Sequence, residues 1–404
     1  MRMVIGGCTP VLNIKTMPIF IHSLQGEVIM FEINPAMHHD LSSTLSIGED
    51  LSVQDVSPIL GADTWRDASP PSNSDLLNYL QRLRCCDSIF SQHQTPSPRP
   101  IPLIPLCFSG PELIDRLEDL GVLRMVLVHN HGGMVTTGRM RDARHRKHRS
   151  SVTAHPIDTR LRHHQWRNIY AVGGRYPGIY VTDREQRLAL AWILAQGSRS
   201  RAFAALCADG SCAADGFSTI QSRAQRHQRL SDRNGSEVRA HLLEQWQSMV
   251  DTHQFGPLLS RLRLSTQQAY ILAEEVYTRR VPIDCLSVLS SSLIKQQIPA
   301  MVFMENDAGI SIHSGSPFYT TSDSSSRIGR LSDGEHHWLL DAIDGLWLVT
   351  RPSREGDVHS LEAFDERGHP VVKFFGQRPW KSCEDPRWLP LLVECTGIQA
   401  LPVA

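Results

Sequence analysis

Residues 124–135 of the 404-residue chain recur at 300–311, and this repeat restricts the possible folds more than any other feature. At an offset of 176 positions, RMVLVHNHGGMV lies over AMVFMENDAGIS, so that Met125, Val126, Asn130 and Gly133 coincide with Met301, Val302, Asn306 and Gly309. Both copies consist of an apolar run, a turn rich in Asn, Asp and Gly, and a second run. The match predicts a tandem duplication of one supersecondary unit.

Helices are expected at the ends of each copy. Leu113, Ile114 and Leu117 form a helical stripe before the first copy, and residues 286–293 form the corresponding stripe before the second. Further strands are expected at 346–350, 358–364 and 371–375, with turns between them. Strand runs separated by turns, with helices at the ends, predict an α+β fold in which an antiparallel sheet unit occurs twice.

The predicted repeats span residues 106–235 and 236–404. Residues 1–105 are rich in Ser and Pro, and we expect a divergent, partly disordered extension there, with one short helix at 76–83. Between the two copies, helices are predicted over 237–250 and from the capping box that begins at Ser265.

One histidine falls on the apolar stripe of the first of these helices. Trp246, Met249, Val250 and His253 have the spacing i, i+3, i+4 and i+7, which predicts that His253 faces inward near the helix end. One interpretation is a core histidine with a satisfied hydrogen bond. The other is an axial ligand to a metal or haem iron, because a rigid element at a junction of two repeats can present an imidazole to a cofactor.

The amino-acid composition indicates no particular binding partner. The 41 Lys and Arg residues balance 42 Asp and Glu residues, so bulk charge does not call for nucleic acid. No apolar run approaches the roughly 18 residues of a membrane span, and the few residues before Cys8 are too short for a signal segment. The nine cysteines are scattered and odd in number, which predicts a reducing, cytoplasmic setting.

The segment Arg139–Arg149, RMRDARHRKHR, is strongly basic. A nucleic-acid patch and a lid over haem propionates are two functional interpretations, and a solvated loop between strands is the third. The segment contains no aromatic residue that would stack on bases.

Other histidine pairs suggest no metal site by their spacing. His129 and His131 flank a turn, and His163 and His164 are adjacent, so no pair has the i, i+4 spacing of a helical metal motif. These side chains are expected at the surface. The sequence also lacks Walker, GxGxxG and GxSxG patterns, and covalent catalysis is not indicated.

From about Trp246 to Arg378 the chain resembles the bacterial hemin-degrading factor family of the HmuS, HemS and ChuS type. The motifs that carry the resemblance are DTHQF followed by LLSRLRLSTQQA, then IPAMVFMENDAGISIHSG, and then LWLVTRPSREGDVHSLEAFDERGHPVVKFFGQR. The first half matches more weakly, through ELIDRLEDLG, HNHGG and IDTRLRHHQW. The resemblance covers about 290 residues, from Pro111 onward.

The resemblance implies a haem cleft between the two halves. It implies that His253 is the proximal iron ligand, and that Arg160 lies on the distal side, where a guanidinium can hold a water or polarise bound oxygen. Arg160 is thereby the one candidate catalytic residue. Arg378, in FGQR, retains a family position that contacts the propionates.

Several positions depart from the family pattern. Arg162 replaces an aromatic residue, Phe375 replaces a tyrosine, Thr266 replaces an arginine, and Arg351 replaces a lysine. The two haem propionates need nearby cations, but these cations can come from different positions. Arg261, Arg263 and Arg351 are therefore candidates to replace the lost propionate contacts. Proximal ligation is thus predicted to be kept, whereas propionate anchoring is predicted to be rearranged.

The predicted function is a cytoplasmic haem-binding protein that accepts imported haem and traffics or degrades it to supply iron. The sequence does not distinguish a haem carrier from a haem-degrading enzyme, because the cofactor itself supplies the chemistry of ring opening. The expected partners are an inner-membrane haem importer, a downstream haem oxygenase and, for an enzyme, an electron donor. The alternative is a divergent paralogue that has lost haem and acts as a regulatory or nucleic-acid-binding module through Arg139–Arg149.

Overall fold

The structure, a computed structural model, describes residues 72–85, 103–211, 232–322, 325–332, 334–379 and 381–398. Most of the expected N-terminal extension therefore lies outside the described residues. What the structure does describe is built on two nine-stranded antiparallel sheets with helices packed against them. This confirms the predicted α+β class.

Strands β1 to β9 come from the first half of the chain. They are β1 (Leu103–Leu106), β2 (Gly121–His129), β3 (Gly132–Arg139), β4 (Arg144–Arg146), β5 (Arg149–Val152), β6 (Asp158–Leu161), β7 (Ile169–Val172), β8 (Gly178–Thr182) and β9 (Leu188–Ser198). The helices of this half are α1 (Asn73–Cys85), α2 (Gly110–Asp119) and α3 (Ser200–Gly210). A capping box at Ser109 starts α2.

The second half repeats this order. Its strands are β10 (Thr278–Val281), β11 (Ala300–Asn306), β12 (Gly309–Gly315), β13 (Pro317–Ser322), β14 (Ser326–Leu331), β15 (Gly334–Leu339), β16 (Gly345–Arg351), β17 (Val358–Phe364) and β18 (Pro370–Gly376). Its helices are α4 (Asp232–Gln247), α5 (Phe255–Leu262), α6 (Thr266–Leu272), α7 (Cys285–Gln296) and α8 (Trp388–Thr396). The predicted capping box at Ser265 starts α6.

Each half of the chain contributes three strands to the sheet of the other half. The first sheet has the order β1-β7-β8-β9-β2-β3-β15-β14-β13, and the second sheet has the order β10-β16-β17-β18-β11-β12-β6-β5-β4. Equivalent strands occupy equivalent positions in both sheets, which is the pattern of a duplicated unit. The repeats at 106–235 and 236–404 are therefore interlocked, and neither sheet stays within one of these ranges.

The strand register corrects the predicted offset by one residue. His129 pairs with Gly132 at the end of the β2–β3 hairpin, and Asn306 pairs with Gly309 at the end of β11–β12. The structural repeat therefore has an offset of 177, not 176. A shift of one residue exchanges the two faces of a strand, so Met125 corresponds to Val302 and not to Met301.

The inner faces of the two sheets share one apolar core. Met125 on β2 and Val302 on β11 both lie in it and are fully or almost fully buried. Helices α2, α3, α7 and α8 add their apolar stripes, among them Leu113 and Leu289. This common core fixes the two sheets against each other, because its side chains come from both halves.

Helix α1 covers the outer face of the first sheet. Leu76, Leu77 and Leu80 are buried against the outward side chains of the first sheet, such as Val126 and Val135. The helix was predicted at 76–83 and is confirmed there. Together with β1, which pairs with β7, it shows that residues 73–85 and 103–105 are part of the folded unit, although the sequence analysis assigned them to an extension.

Helices α4, α5 and α6 pack on the outer face of the second sheet at its β16 and β17 edge. Trp246 and Tyr270 are fully buried there, against Trp347, Val349 and Phe364 of the sheet. Aromatic rings make much of this contact, since the Trp246 and Phe255 centroids lie 4.5 Å apart. The helices leave the strands beyond β17 uncovered by this cluster.

No described helix has both the length and the apolarity that crossing a membrane requires. Among the described cysteines, Cys107 is disulfide-bonded. A disulfide at this position departs from the predicted reducing setting, whereas the thiols of Cys207, Cys285, Cys383 and Cys395 are free.

Candidate functional site

Among the residues that the structure describes, no helix packs closely on the outer face of the second sheet over β18, β11, β12 and β6, and we call this area the open face. Its side chains alternate with buried ones that point into the common core, as a half-exposed strand requires. The register brings one side chain from each strand into rows, with Lys373 beside Phe303 and Glu305 beside Ile310 and Arg160. Three strand spacings of about 4.8 Å make this area about 14 Å wide.

The open face combines an apolar part with a charged part. Phe303 and Phe375 meet edge to face with ring centroids 4.9 Å apart, and both are half-buried. Ile312 of β12 pairs with Phe303 and is only 8% exposed, so it backs this apolar part and adds little accessible surface. A flat apolar ligand can therefore lie against aromatic and aliphatic side chains here.

The equivalent area of the first sheet is closed by α1. Strands β9, β2, β3 and β15 correspond in order to β18, β11, β12 and β6, and they are the strands that α1 contacts. Buried Val126 and Val135 stand where Phe303 and Ile312 stand on the open face. The duplication has therefore produced one covered face and one open face in the described part of the chain.

A chain of ion pairs crosses the open face, and Glu305 is at its centre. One oxygen of Glu305 accepts from Lys373 Nζ at 2.8 Å, and the other accepts from Arg162 Nη2 at 3.0 Å. Burial alone would raise the pKa of Glu305, but the charges of Lys373 and Arg162 outweigh burial and lower this pKa to about 2. Glu305 is therefore an anion at neutral pH, and it partly neutralises Lys373 and Arg162 on the open face.

Arg351 belongs to a buried part of the same network. Its Nη1 lies 2.8 Å from Glu362 Oε1, the Tyr270 hydroxyl donates to Glu362 Oε2 at 2.7 Å, and Arg351 also contacts the Tyr270 hydroxyl. Burial opposes ionisation of Glu362, but Arg351 and Lys373 hold the pKa of this carboxyl below its usual value. Arg351 is almost fully buried and lies over the Phe255 ring, so its charge already has a partner inside the protein.

His253 is not on a long amphipathic helix, which corrects the sequence interpretation. Helix α4 ends at Gln247, and His253 follows on a separate 3-10 turn, Thr252–Gln254. Its side chain is 81% exposed. The reason is Asp251, whose carboxylate accepts from the backbone N–H of His253 at 2.8 Å and starts a new turn before the helical stripe can continue.

The imidazole of His253 is held through one nitrogen only. Its Nδ1 lies 2.7 Å from Asp251 Oδ1, while Nε2 is directed away from this carboxylate. Hydrogen bonds from the His253 backbone and side chain hold the pKa of Asp251 below its usual value. A carboxylate on one imidazole nitrogen is the common way in which proteins orient a histidine that binds metal through the other.

Arg160 lies on β6, which comes from the first half of the chain but belongs to the second sheet. Its Cα pairs with Ile310, so the side chain is on the open face, and it is 39% exposed. The guanidinium contacts Asp158 and donates to the Thr159 carbonyl at 3.0 Å. The pairing of β6 with β12 therefore brings an arginine of the first half to the second sheet. His253 lies on the turn between two of the helices that pack on the same sheet.

The remaining predicted site residues occupy different places. Arg162 and Phe375 are on the open face, as described above. Arg378 lies where β18 ends, and its Nη2 donates to Thr252 Oγ1 at 3.3 Å, next to His253. Arg261 is exposed on α5 and donates to Gln245 of α4 at 3.3 Å.

Sequence reasoning missed Lys373 and Glu305. Lys373 lies within the motif VVKFFGQR, and it alternates with buried Val372 and Phe374. That alternation could have placed the lysine on the exposed face of a strand. Glu305 could not have been found in this way, because its role comes from partners on two other strands.

The basic segment Arg139–Arg149 forms most of a hairpin, not a loop. Strands β4 and β5 lie at the outer edge of the second sheet, and Arg144, Arg146 and Arg149 are exposed. Charged edge strands of this kind prevent further strand pairing. His145 lies 2.8 Å from Asp115 of α2, so part of the charge is paired locally.

The expectation that all turn histidines lie at the surface is wrong for His129, which is 7% exposed. Burial, with the nearby charge of Arg84, lowers the pKa of His129 to about 3, so the ring is neutral. Its Nδ1 accepts from the backbone N–H of His131 at 3.1 Å. His163 and His164 are half-buried beside β6.

Comparison with known proteins agrees with this architecture. Residues 263–394 match the family model described as the haemin-degrading HemS.ChuX domain. The chain is 27% identical over 144 residues to the hemin transport protein HemS of Yersinia enterocolitica, and 28% identical over the same length to HmuS of Yersinia pestis. These alignments cover 36% of this chain and 42% of each relative, so the chain spans less than half of the curated relatives it matches.

Solved structures extend the likeness over more of the chain. Apo-PhuS, a heme-binding protein from Pseudomonas aeruginosa, superposes with a TM-score of 0.68 at 22% identity, over 89% of this chain and 97% of PhuS. The heme-degrading enzyme ChuS of Escherichia coli O157:H7 superposes with a TM-score of 0.64 at 20% identity, over 72% and 86% of the two chains. At these identities the superpositions establish the duplicated fold.

Proposed function

We propose, from the premise that residues 263–394 belong to the haemin-degrading HemS.ChuX domain family, that this protein binds haem on the open face of its second sheet. The observation that carries the proposal is the exposed imidazole of His253, oriented through Nδ1 by Asp251, on a turn that contacts Arg378 just after β18 of the open face. We further propose that it accepts imported haem in the cytoplasm and passes it on or opens the ring.

The donor set of this chain suits haem. An imidazole with one nitrogen held by a carboxylate can bind iron through the other nitrogen. Phe303 and Phe375 offer an apolar surface for a porphyrin, and cations around them suit its two propionates. These side chains support the proposal because each supplies one property that haem binding needs.

His253 and Arg160 have different roles in this proposal. His253 would hold the iron from the proximal side through Nε2, while the Asp251 carboxylate orients the imidazole through Nδ1. Arg160 would act from the distal side as a hydrogen-bond donor, which requires its guanidinium to leave Asp158 at least in part. Bound haem supplies the iron and the oxidisable ring, and the protein supplies the ligand, polarity and orientation.

The propionate contacts follow from which cations are accessible. Arg378 lies beside the turn that carries His253, and Lys373 and Arg162 are half-buried on the open face. Arg351 is less suited to this role than its sequence position suggested, because it is buried and paired with Glu362. Arg261 is exposed on α5 and is retained as a weaker candidate.

A hemin titration followed by absorbance tests the ligand assignment. We expect a Soret band that saturates in the wild type, and a shifted band with weaker binding in His253→Ala, because the axial nitrogen is lost. His241→Ala is the matched control, since His241 is an exposed histidine on α4 paired with Glu244. An unchanged spectrum for His253→Ala would show that the iron ligand is another residue.

A second measurement separates a degrading enzyme from a carrier. Ascorbate or an NADPH-linked reductase is added to the hemin complex in air. Loss of the Soret band with formation of a bilin or another open tetrapyrrole supports an enzyme, and Arg160→Ala should slow this loss. A stable Soret band, with transfer of hemin to a haem oxygenase, supports a carrier that lies between a membrane importer and that enzyme.

One observation favours a different function. The β4–β5 hairpin exposes Arg144, Arg146 and Arg149 at a sheet edge, where they could contact phosphates. Salt-dependent retention on DNA that is lost in a triple alanine variant, without a Soret band after hemin addition, would favour a nucleic-acid-binding paralogue over a haem protein.

A further inference from the structure

Two hairpins, one from each half of the chain, bring metal-binding side chains together. His131 lies on the turn between β2 and β3 of the first sheet, and Asp365, Glu366 and His369 lie on the turn between β17 and β18 of the second sheet. One donor atom each of His131, Asp365 and Glu366 lies within 4.8 Å of the others. We call these four side chains the junction cluster.

The distances in the junction cluster suit a small divalent ion. His131 Nε2 lies 3.5 Å from Asp365 Oδ2 and 3.9 Å from Glu366 Oε2, and His369 Nδ1 lies 3.3 Å from the same Asp365 oxygen. Ligands at about 2.0–2.2 Å from a tetrahedral ion are about 3.4 Å apart. The donor atoms are thus already near ligand-to-ligand distances, and exposed Glu366 and His369 have room to adjust.

The turn around Asp365 holds its carboxylate in place. Asp365 Oδ1 accepts from the backbone N–H groups of Arg367 and His369, at 2.9 and 2.8 Å. This leaves Oδ2 facing the imidazoles of His131 and His369. The Asp365 side chain is only 3% exposed, so one acidic oxygen is preorganised at a site that solvent reaches mainly from the Glu366 side.

His131 is positioned from behind by His129. The buried ring of His129 accepts a hydrogen bond at Nδ1 from the His131 backbone N–H, which fixes the start of the turn. His129 is a positioning residue in this arrangement, not a ligand. Arg367 Nε lies 3.7 Å from Glu366 Oε1, whereas the other oxygen, Oε2, is the one near His131. Glu366 can therefore bind an ion through Oε2 while Oε1 stays near Arg367.

We propose that the junction cluster binds a divalent transition-metal ion of the Zn²⁺, Co²⁺ and Fe²⁺ class. Two imidazoles with one or two carboxylates select such ions over Mg²⁺ and Ca²⁺, which prefer oxygen ligands alone. The ion joins a hairpin of the first sheet to a hairpin of the second sheet. Binding therefore stabilises the contact between the two halves as well as the local turns.

The test uses the full chain without hemin, titrated with ZnCl₂ by calorimetry and with CoCl₂ by visible absorbance. We expect one equivalent of ion per chain, and at least a tenfold weaker affinity in His131→Ala, because a nitrogen ligand is lost. Glu366→Gln removes an exposed charge with little effect on folding, and should also weaken binding. His241→Ala, an exposed histidine beside Glu244 on α4, should bind as the wild type does.

A thermal readout separates the site from a purely structural role of the same residues. Added Zn²⁺ should raise the Tm of the wild type and of His241→Ala, but not that of His131→Ala. Equal affinity in wild type and His131→Ala, or equal competition by Mg²⁺, would overturn the site. Hemin titration of His131→Ala should remain as in the wild type, so failure of the metal site and failure of the haem proposal are distinguishable.

Discussion

Replacing Glu305 by Gln should destabilise the protein at neutral pH without removing the proposed haem site. Glu305 is 18% exposed and forms ion pairs with Lys373 and Arg162, which hold its pKa at about 2 against an ordinary value of 4.5. A difference of this size corresponds to about 3 kcal/mol, at about 1.4 kcal/mol per pH unit. The loss on substitution should be of that order, because an amide cannot neutralise the two cations.

The effect has a definite pH dependence. The pKa of Glu305 is lowered by folding, so its contribution is fully present above about pH 4.5 and is lost as the pH falls towards 2. Urea unfolding of wild type and Glu305→Gln at several pH values should therefore give a difference that is largest at pH 7 and shrinks below about pH 4.5. Glu237→Gln, an exposed residue of α4, is the control and should show no such difference.

Two results would refute this reasoning. One is a difference below about 1 kcal/mol at pH 7, the range of an exposed ion pair. The other is a difference that persists unchanged as the pH falls, which would mean that the amide disturbs packing and not charge. Hemin affinity of the variant should equal or exceed that of the wild type, because Lys373 and Arg162 are released towards the open face.

Further predictions concern the folded framework. Arg84→Met should cost about 3 kcal/mol in urea unfolding, because the buried carboxylate of Asp183 loses the guanidinium 3.2 Å away and keeps Arg187 at 3.4 Å, and because the Arg84 hydrogen bond to Asn130 is also lost; a loss below 1 kcal/mol would contradict this. Gly178→Ala should lower the Tm strongly, since a Cβ there would stand 2.1 Å from the Trp192 carbonyl oxygen. Gly256→Ala on α5 meets nothing within 4 Å and should be neutral or slightly stabilising, which makes it the control.

The local elements could be predicted from the chain because they depend on neighbouring residues. The strands that flank the turn at Asn306–Gly309, the capping box at Ser265 and the hairpin of β17 and β18 all appear as expected. The FGQR motif also indicates a resemblance to the hemin-degrading family, and it lies within residues 263–394, which match the HemS.ChuX domain model. Hydrophobic period and turn chemistry act over a few residues, so they can be read without the fold.

Tertiary structure decided how these elements combine. The residues near β6 do not indicate that it pairs with β12. Arg160 and its partner Ile310 are 150 residues apart in the chain, and their pairing puts Arg160 on the second sheet. The one-residue correction of the repeat offset also needed the register, because two similar apolar runs align almost equally well in either phase. The side of a strand that faces the ligand depends on this choice.

The environment of His253 illustrates the same division. Its identity and the family motif made it a candidate ligand, and both are properties of the sequence. Its exposure was not predictable, because the apolar spacing from Trp246 to Val250 suggested a continuing helix while the Asp251 cap ended it. Whether a polar cap or an apolar stripe prevails depends on the free energy of burial against the second sheet, which only the packed structure determines.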